Sequence, residues 1–305
     1  MTIIDGPGPG SRPPRPTTVL AAKVEGAAAL DAPAARLSEL AGKAAGTGRR
    51  KDLLSGTWLG HPLHPLLVAV PIGFWSAASL LDLTRQERAA RTLVGAGLVA
   101  AVPTGLAGAS DWADTMGAER RVGLVHLAAN SVATTAYAAS WLARRRGRHA
   151  KGALLALVGA GASGLGGWLG GHLSYALGVG VDTNAFEAGL TDWTPLDADL
   201  PEAGPPSGAV VAGEAGGTAV AVAHTADGVH ALADRCSHRG GPLSGGEVTG
   251  GCLTCPWHGS RFDARTGEVV QGPATVPQPT FELRRAAGRW QVRRDEARSL
   301  RTNPV

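Results

Sequence analysis

Cysteine, methionine and aromatic side chains are scarce in this 305-residue chain: three Cys, two Met and 5% aromatics. Three thiols leave no room for a disulfide scaffold. Although the sequence pI is about 9.3, no basic face interleaved with aromatics occurs, which excludes nucleic acid as the partner. Charge itself is missing from four long stretches, residues 53–81, 92–110, 122–143 and 152–181. Each reaches the roughly 18 residues that suggest a membrane-spanning helix. A mean hydropathy of +0.02 hides this crowding of apolar residues into one half of the chain. Small residues at spacing four, Gly159, Ser163 and Gly167, suit close helix packing in lipid. The Arg clusters flank apolar segments, as membrane proteins place them.

Beyond the last stretch the pattern changes. Residues 183–206 read as a polar, Pro- and acid-rich linker. Short strands follow: 219–223 and 229–233 flank an Asp227-Gly228 turn, and 281–285 and 290–293 close around Gly288. Between those hairpins lie Cys236-Ser237-His238 and Cys255-Pro256-Trp257-His258, separated by sixteen residues. Each loop carries one thiolate and one imidazole. Two chemistries use such donors. A [2Fe–2S] centre can hold one iron on Cys236 and Cys255 and the other on His238 and His258. A structural zinc site would recruit Cys252 and Cys255 with Cys236 and one of those His. Zinc sites commonly add a second C-x-x-C or an H-x₃₋₅-H, and neither is present.

With C-x-H…C-x-x-H and the glycine-bearing runs Arg239 to Leu243 and Gly259 to Asp263, residues 207–294 resemble the Rieske family. The resemblance implies a small antiparallel fold with both ligand loops at its tip. Cytochrome bc Rieske subunits carry an extra bonded Cys in each loop. Here Trp257 occupies one of those positions, so the loops resemble the soluble ferredoxins serving ring-hydroxylating dioxygenases. The resemblance also assigns Ser260 a hydrogen bond to a cluster sulfur, while Phe262 stands where high-potential members have a Tyr hydroxyl. That combination implies a potential below the upper end of the Rieske range. About 45 residues follow His258, too few for the mononuclear-iron domain of a Rieske oxygenase. Gly60-His61-Pro62-Leu63-His64-Pro65 resembles the start of an uncharacterised four-span bacterial membrane domain, over about residues 58–190.

The expected fold is therefore a four-span helical bundle followed by an all-β Rieske-type sandwich. Its divisions are a disordered or helical segment at 1–57, with a surface helix over 19–45 broken at Pro33, then spans within 58–182, the linker 183–206, the Rieske domain 207–294 and a tail 295–305. Spans that alternate bring His61, His64, His126 and His172 to the leaflet carrying the Rieske domain. Each His alone reads as a residue satisfied by a backbone carbonyl. Together they suggest a cofactor, with haem b between His126 and His172 the leading form and His61 and His64 at its border. Six Lys or Arg flank the spans on the Rieske side and eight on the other, which favours an outside Rieske domain. The absence of a disulfide and of a twin-arginine signal favours the cytoplasm, the side expected here. The expected function is single-electron transfer at the cell membrane with haem, quinone or a soluble protein. The alternative is a transport or sensor domain gated by the redox module.

Overall fold

The computed structural model describes residues 15–187 and 189–294. The expected disordered terminus lies outside the described residues over 1–14, and the tail 295–305 lies wholly outside them. Two N-terminal helices form, α1 (Pro16–Glu25) and α2 (Asp31–Ala45). The break falls at Gly26 rather than at Pro33, because Pro33 sits in the first turn of α2, where no N–H is needed. A short helix, α3 (Arg49–Ser55), stops at Gly56, whose φ of +83° is left-handed.

Four long helices follow: α4 (Leu63–Leu83), α5 (Glu87–Ala113), α6 (Gly117–Arg145) and α7 (His149–Tyr175). Extended backbone at Pro62 starts α4 at Leu63, ten residues after the first apolar stretch begins. Three-residue loops make the helices antiparallel neighbours, α4 against α5 and α6 against α7. In the core Trp75 stacks on Tyr137, with ring centroids 4.0 Å apart. Gly159 on α7 gives the Tyr137 ring its space, since a Cβ there would lie 2.8 Å from it.

The span count is corrected. Among the described residues three helices, α4, α5 and α7, are long and apolar enough to cross a membrane. Helix α6 has the length, 29 residues, but polar side chains lower its hydropathy. Its neighbours satisfy them. His126 donates to Gly166 O (2.8 Å) and Ser140 to Gly152 O (2.6 Å), both on α7. Arg144, with no exposed side-chain surface, pairs with both carboxylate oxygens of Asp82 on α4 at 2.5 Å. A helix so bonded can sit among apolar neighbours without orphaned polar groups.

The C-terminal part is antiparallel throughout. One sheet has the order β1-β10-β9-β4-β3-β2: β1 (Thr194–Pro195), β10 (Arg289–Arg294), β9 (Thr280–Ala286), β4 (Gly228–Ala233), β3 (Thr218–Thr225) and β2 (Val210–Ala215). The other runs β5 (Glu247–Thr249), β6 (Cys252–Thr254), β7 (Arg261–Asp263) and β8 (Val269–Gln271). The β3–β4 hairpin turns one residue earlier than the sequence predicts, at Ala226-Asp227, with Gly228 opening β4 opposite Thr225. Ala287 and Gly288, both at positive φ, make the two-residue turn between β9 and β10. Two buried clusters form the core, one of them holding Cys236 and Cys255 beside Leu232, Leu253 and Phe262. The segment 183–206 is a packed strap. Its Thr183 donates to Cys236 O (2.8 Å), its Asn184 to Arg235 O (2.8 Å), and β1 pairs with β10.

The β domain rests on one end of the bundle. Gly272 N–H donates to Asp52 Oδ1 at 2.7 Å, Thr57 Oγ1 donates to Ala274 O at 3.1 Å, and Arg239 pairs with Glu119 at the start of α6.

Candidate metal centre

Two loops of unlike sequence take the same turn. After β4, Cys236 N–H donates to Gly241 O (2.9 Å) and Gly240 N–H to Cys236 O (2.8 Å). Between β6 and β7, Cys255 N–H donates to Ser260 O (2.8 Å) and Gly259 N–H to Cys255 O (3.0 Å). Gly240 and Gly259 share a φ of +74°, which only glycine adopts without strain. Gly241 lets the loops meet, because a Cβ there would lie 2.8 Å from the Trp257 ring and 3.1 Å from Cys255 Sγ.

The donors converge as two pairs. The thiols of Cys236 and Cys255 hydrogen-bond each other inside the core, 1% and 2% exposed. Backbone N–H groups of His238 and Arg239 point at one sulfur, those of Trp257 and His258 at the other. The Cys236 thiol and then those backbone donors hold Cys255 down to about 7, while Cys236, sharing its proton and buried, is pushed up. The His238 and His258 rings stand perpendicular, with centroids 5.1 Å apart. Burial lowers both, His238 to about 4, so both are neutral imidazoles at pH 7. Nδ1 of each is buried without a hydrogen-bond partner. Unpartnered buried nitrogens are costly unless something binds them.

Among the described residues no group of three or more His, Cys, Asp or Glu closes around a single ion. A zinc site needs such a group. Cys252 does not join the pairs; its Sγ lies 3.8 Å from Gly250 O. Two sulfurs on one side and two free Nδ1 on the other fit a binuclear cluster with mixed ligation. Ser260 is fully buried, and its Oγ accepts from Ala274 N–H at 2.9 Å, leaving its own proton free to donate.

On the bundle side, His238 Nε2 faces Asp114 Oδ2 at 3.5 Å, and Lys51 Nζ holds that oxygen at 2.8 Å. Lys51, only 7% exposed, also donates to Ser110 O and Oγ. Sequence reading missed this group. In the sequence Lys51 is one of the six Lys or Arg that flank the spans on the Rieske side, and Asp114 stands in the α5–α6 loop with no signal beyond its place at the end of an apolar stretch. A carboxylate beside His238 disfavours an added electron. Asp114→Asn is expected to raise the redox potential of the centre by about 50–100 mV, the Coulomb energy of a unit charge within ~10 Å at an effective dielectric of about 20. Redox titration checks this.

A cavity of about 560 Å³ runs from His238 into the bundle, lined among others by His64, Thr104, Asp111, His126 and Asn130. The haem expected between His126 and His172 finds no support in this arrangement. His126 is used at both nitrogens, Nδ1 by Gly166 O and Nε2 by Asn130 Nδ2 at 3.2 Å. His172 Nε2 is bound to Glu25 Oε1 of α1 at 2.7 Å. Both nitrogens of His126 and the Nε2 of His172 thus have protein partners. His64 lines the cavity, whereas His61 is exposed outside it.

The sequence matches the Rieske [2Fe-2S] domain family over residues 197–282 and the family described as predicted membrane protein (DUF2231) over residues 60–183. The anthranilate 1,2-dioxygenase ferredoxin subunit of Burkholderia cepacia is 36% identical over 108 residues, 35% of this chain and 95% of that protein. Ferredoxin CarAc of Metapseudomonas resinovorans is 37% identical over 68 residues, 22% of this chain and 64% of its own length. Among solved structures, the ferredoxin of carbazole 1,9a-dioxygenase from Nocardioides aromaticivorans IC177 covers 34% of this chain and 98% of its own, at 23% identity and a TM-score of 0.29. The chain belongs to the Rieske [2Fe-2S] ferredoxin family, with its Rieske domain following a predicted membrane protein domain in one polypeptide.

Proposed function

We propose that this is a membrane-anchored electron-transfer protein in which Cys236 and Cys255 hold one iron and His238 and His258 the other. When bound, a [2Fe–2S] cluster supplies a one-electron couple. The chain's own part is to keep both sulfurs in apolar surroundings with backbone donors and to present both imidazoles to the bundle. Electrons pass singly between this centre and a lipid-soluble carrier of the quinone class in the cavity, and between it and a soluble protein. The observation that carries the reading is the cavity, which touches His238 at one end and lies among apolar helices at the other. Its volume falls within the roughly 300–1,000 Å³ of small-molecule sites. Exposed Pro256 and Trp257 beside His258 leave another edge for a protein partner, the role that the name of the Burkholderia relative suggests. We place the Rieske domain on the cytoplasmic face of the cell membrane.

The test is pulsed EPR of the reduced full chain in detergent, with iron and zinc analysis and solvent extraction of bound quinone. Two nitrogen couplings on a [2Fe–2S] signal are expected. A mononuclear metal, or a cluster with sulfur ligands alone, would overturn the reading. The midpoint potential should fall within the roughly −150 to +300 mV of Rieske centres, below the upper end. Ser260→Ala should lower it, because the free hydroxyl proton stabilises the more negative reduced state. An unchanged titration would mean that the hydroxyl does not face a sulfur.

A further inference from the structure

His64 occupies the second position of α4, held there between Pro62 and Pro65. Its Nδ1 lies 3.0 Å from Thr104 O on α5. A carbonyl can only accept, so Nδ1 carries the proton and Nε2 the lone pair. Among the described residues no group bonds that Nε2, and the ring lines the cavity. The neighbouring ring, His126, has its centroid 6.3 Å away, but Asn130 already uses its Nε2. Gly108 makes the placement possible, since a Cβ there would come within 2.8 Å of the His64 ring. The cavity is therefore lined by an open imidazole lone pair at His64 Nε2, apart from the nitrogens of His238.

Resting on the electron-transfer reading above, we infer that this cavity is an oxidation site for a lipophilic hydroquinone, with His64 Nε2 as its proton acceptor. The ligand class follows from three features. The walls are largely apolar helix surface, the acceptor at this position can take a hydroxyl proton, and a one-electron centre adjoins the far end. In each step an O–H bond breaks and a proton goes to His64 Nε2, forming N–H, while one electron leaves for the cluster through His238. The Nδ1–H bond to Thr104 O stays intact throughout, and the charge on the resulting imidazolium strengthens it. Full oxidation of one hydroquinone to the quinone releases two electrons and two protons. The electrons pass singly through the cluster to a soluble one-electron acceptor. His64 returns to neutrality between them by giving its proton to water on the Rieske side of the bundle.

The experiment uses the cluster-loaded full chain in nanodiscs and an alkylated naphthohydroquinone whose measured midpoint lies below that of the cluster. Stopped-flow absorbance follows reduction of the oxidised cluster. The wild-type chain should be reduced rapidly, His64→Gln about 100-fold more slowly, the size expected for loss of a general base, and His61→Ala at the wild-type rate. The EPR signal and midpoint of His64→Gln should be unchanged, and so should its dissociation constant for the oxidised naphthoquinone. That pattern separates a lost base from a damaged fold. His64→Gln at the wild-type rate overturns the inference. So does a wild-type cluster that dithionite reduces and the hydroquinone does not, and either result leaves the electron-transfer reading standing. Absence of a His-ligated signal in the wild-type chain defeats the electron-transfer reading itself.

Discussion

Cys255→Ser abolishes the reduced-state EPR signal of a His-ligated [2Fe–2S] centre, and Cys252→Ser leaves it. This result is expected from the alternation of side chains along β6. Leu253 points into the cluster of buried residues that contains Cys236 and Cys255, while Cys252 and Thr254 point the other way. Cys255 follows the strand, in the loop whose backbone donors aim at its sulfur. A serine oxygen there is a hard ligand in a site built for thiolate, whereas at position 252 it replaces a thiol with one weak contact. The effect on the signal is therefore complete in one variant and small in the other. Iron and acid-labile sulfide analysis accompanies the spectra. A signal that survives Cys255→Ser, or one lost with Cys252→Ser, would overturn the ligand assignment and restore the zinc arrangement built on Cys252.

The β hairpins and the ligand loops were legible because their signals are local. Asp227-Gly228 marks a hairpin to within one residue of its turn, and the two C-to-H spacings fix which donors share a loop. Helix lengths were legible for the same reason, since a run without charge needs no partner to be recognised. What escaped notice depends on contacts between residues far apart. Glu25 is 147 positions from His172, yet their pairing removes that His from the cavity. Asn130 is only four residues from His126, but its role depends on α7 presenting Gly166 O to the same ring. The polar face of α6 read as apolar because Ser, Thr and Asn carry no charge, and their hydropathy counted only once they were gathered on one helix.

The membrane histidines show the limit of depth arguments. Alternating spans placed all four at one level, and three of them were then separated by chemistry that depth cannot reveal. His61 is exposed before α4 begins, His126 is saturated, and His172 is tied to α1. Of the four, His64 alone lines the cavity with a fixed tautomer and an Nε2 that no described residue bonds.

Lys51→Met is expected to destabilise the full chain by about 3–5 kcal/mol, the cost of leaving a buried charge without its partner. Lys51 and Asp114 side chains are 9% and 13% exposed, and the ammonium is anchored further by Ser110 O and Oγ. Without it, the Asp114 carboxylate beside His238 keeps only the Arg239 guanidinium as an opposing charge. The same variant should therefore lower the potential of the centre by about 50–100 mV, opposite in sign to Asp114→Asn, whose uncompensated ammonium raises it. The double variant Lys51→Met with Asp114→Asn removes both charges. It should return most of the potential shift and recover stability relative to Lys51→Met alone, because residues in contact are not additive. Thermal melting in detergent and redox titration of the three variants read the two effects separately. Single variants that shift the potential in the same direction, or a Lys51→Met chain as stable as the wild type, would show that this pair does not couple the bundle to His238.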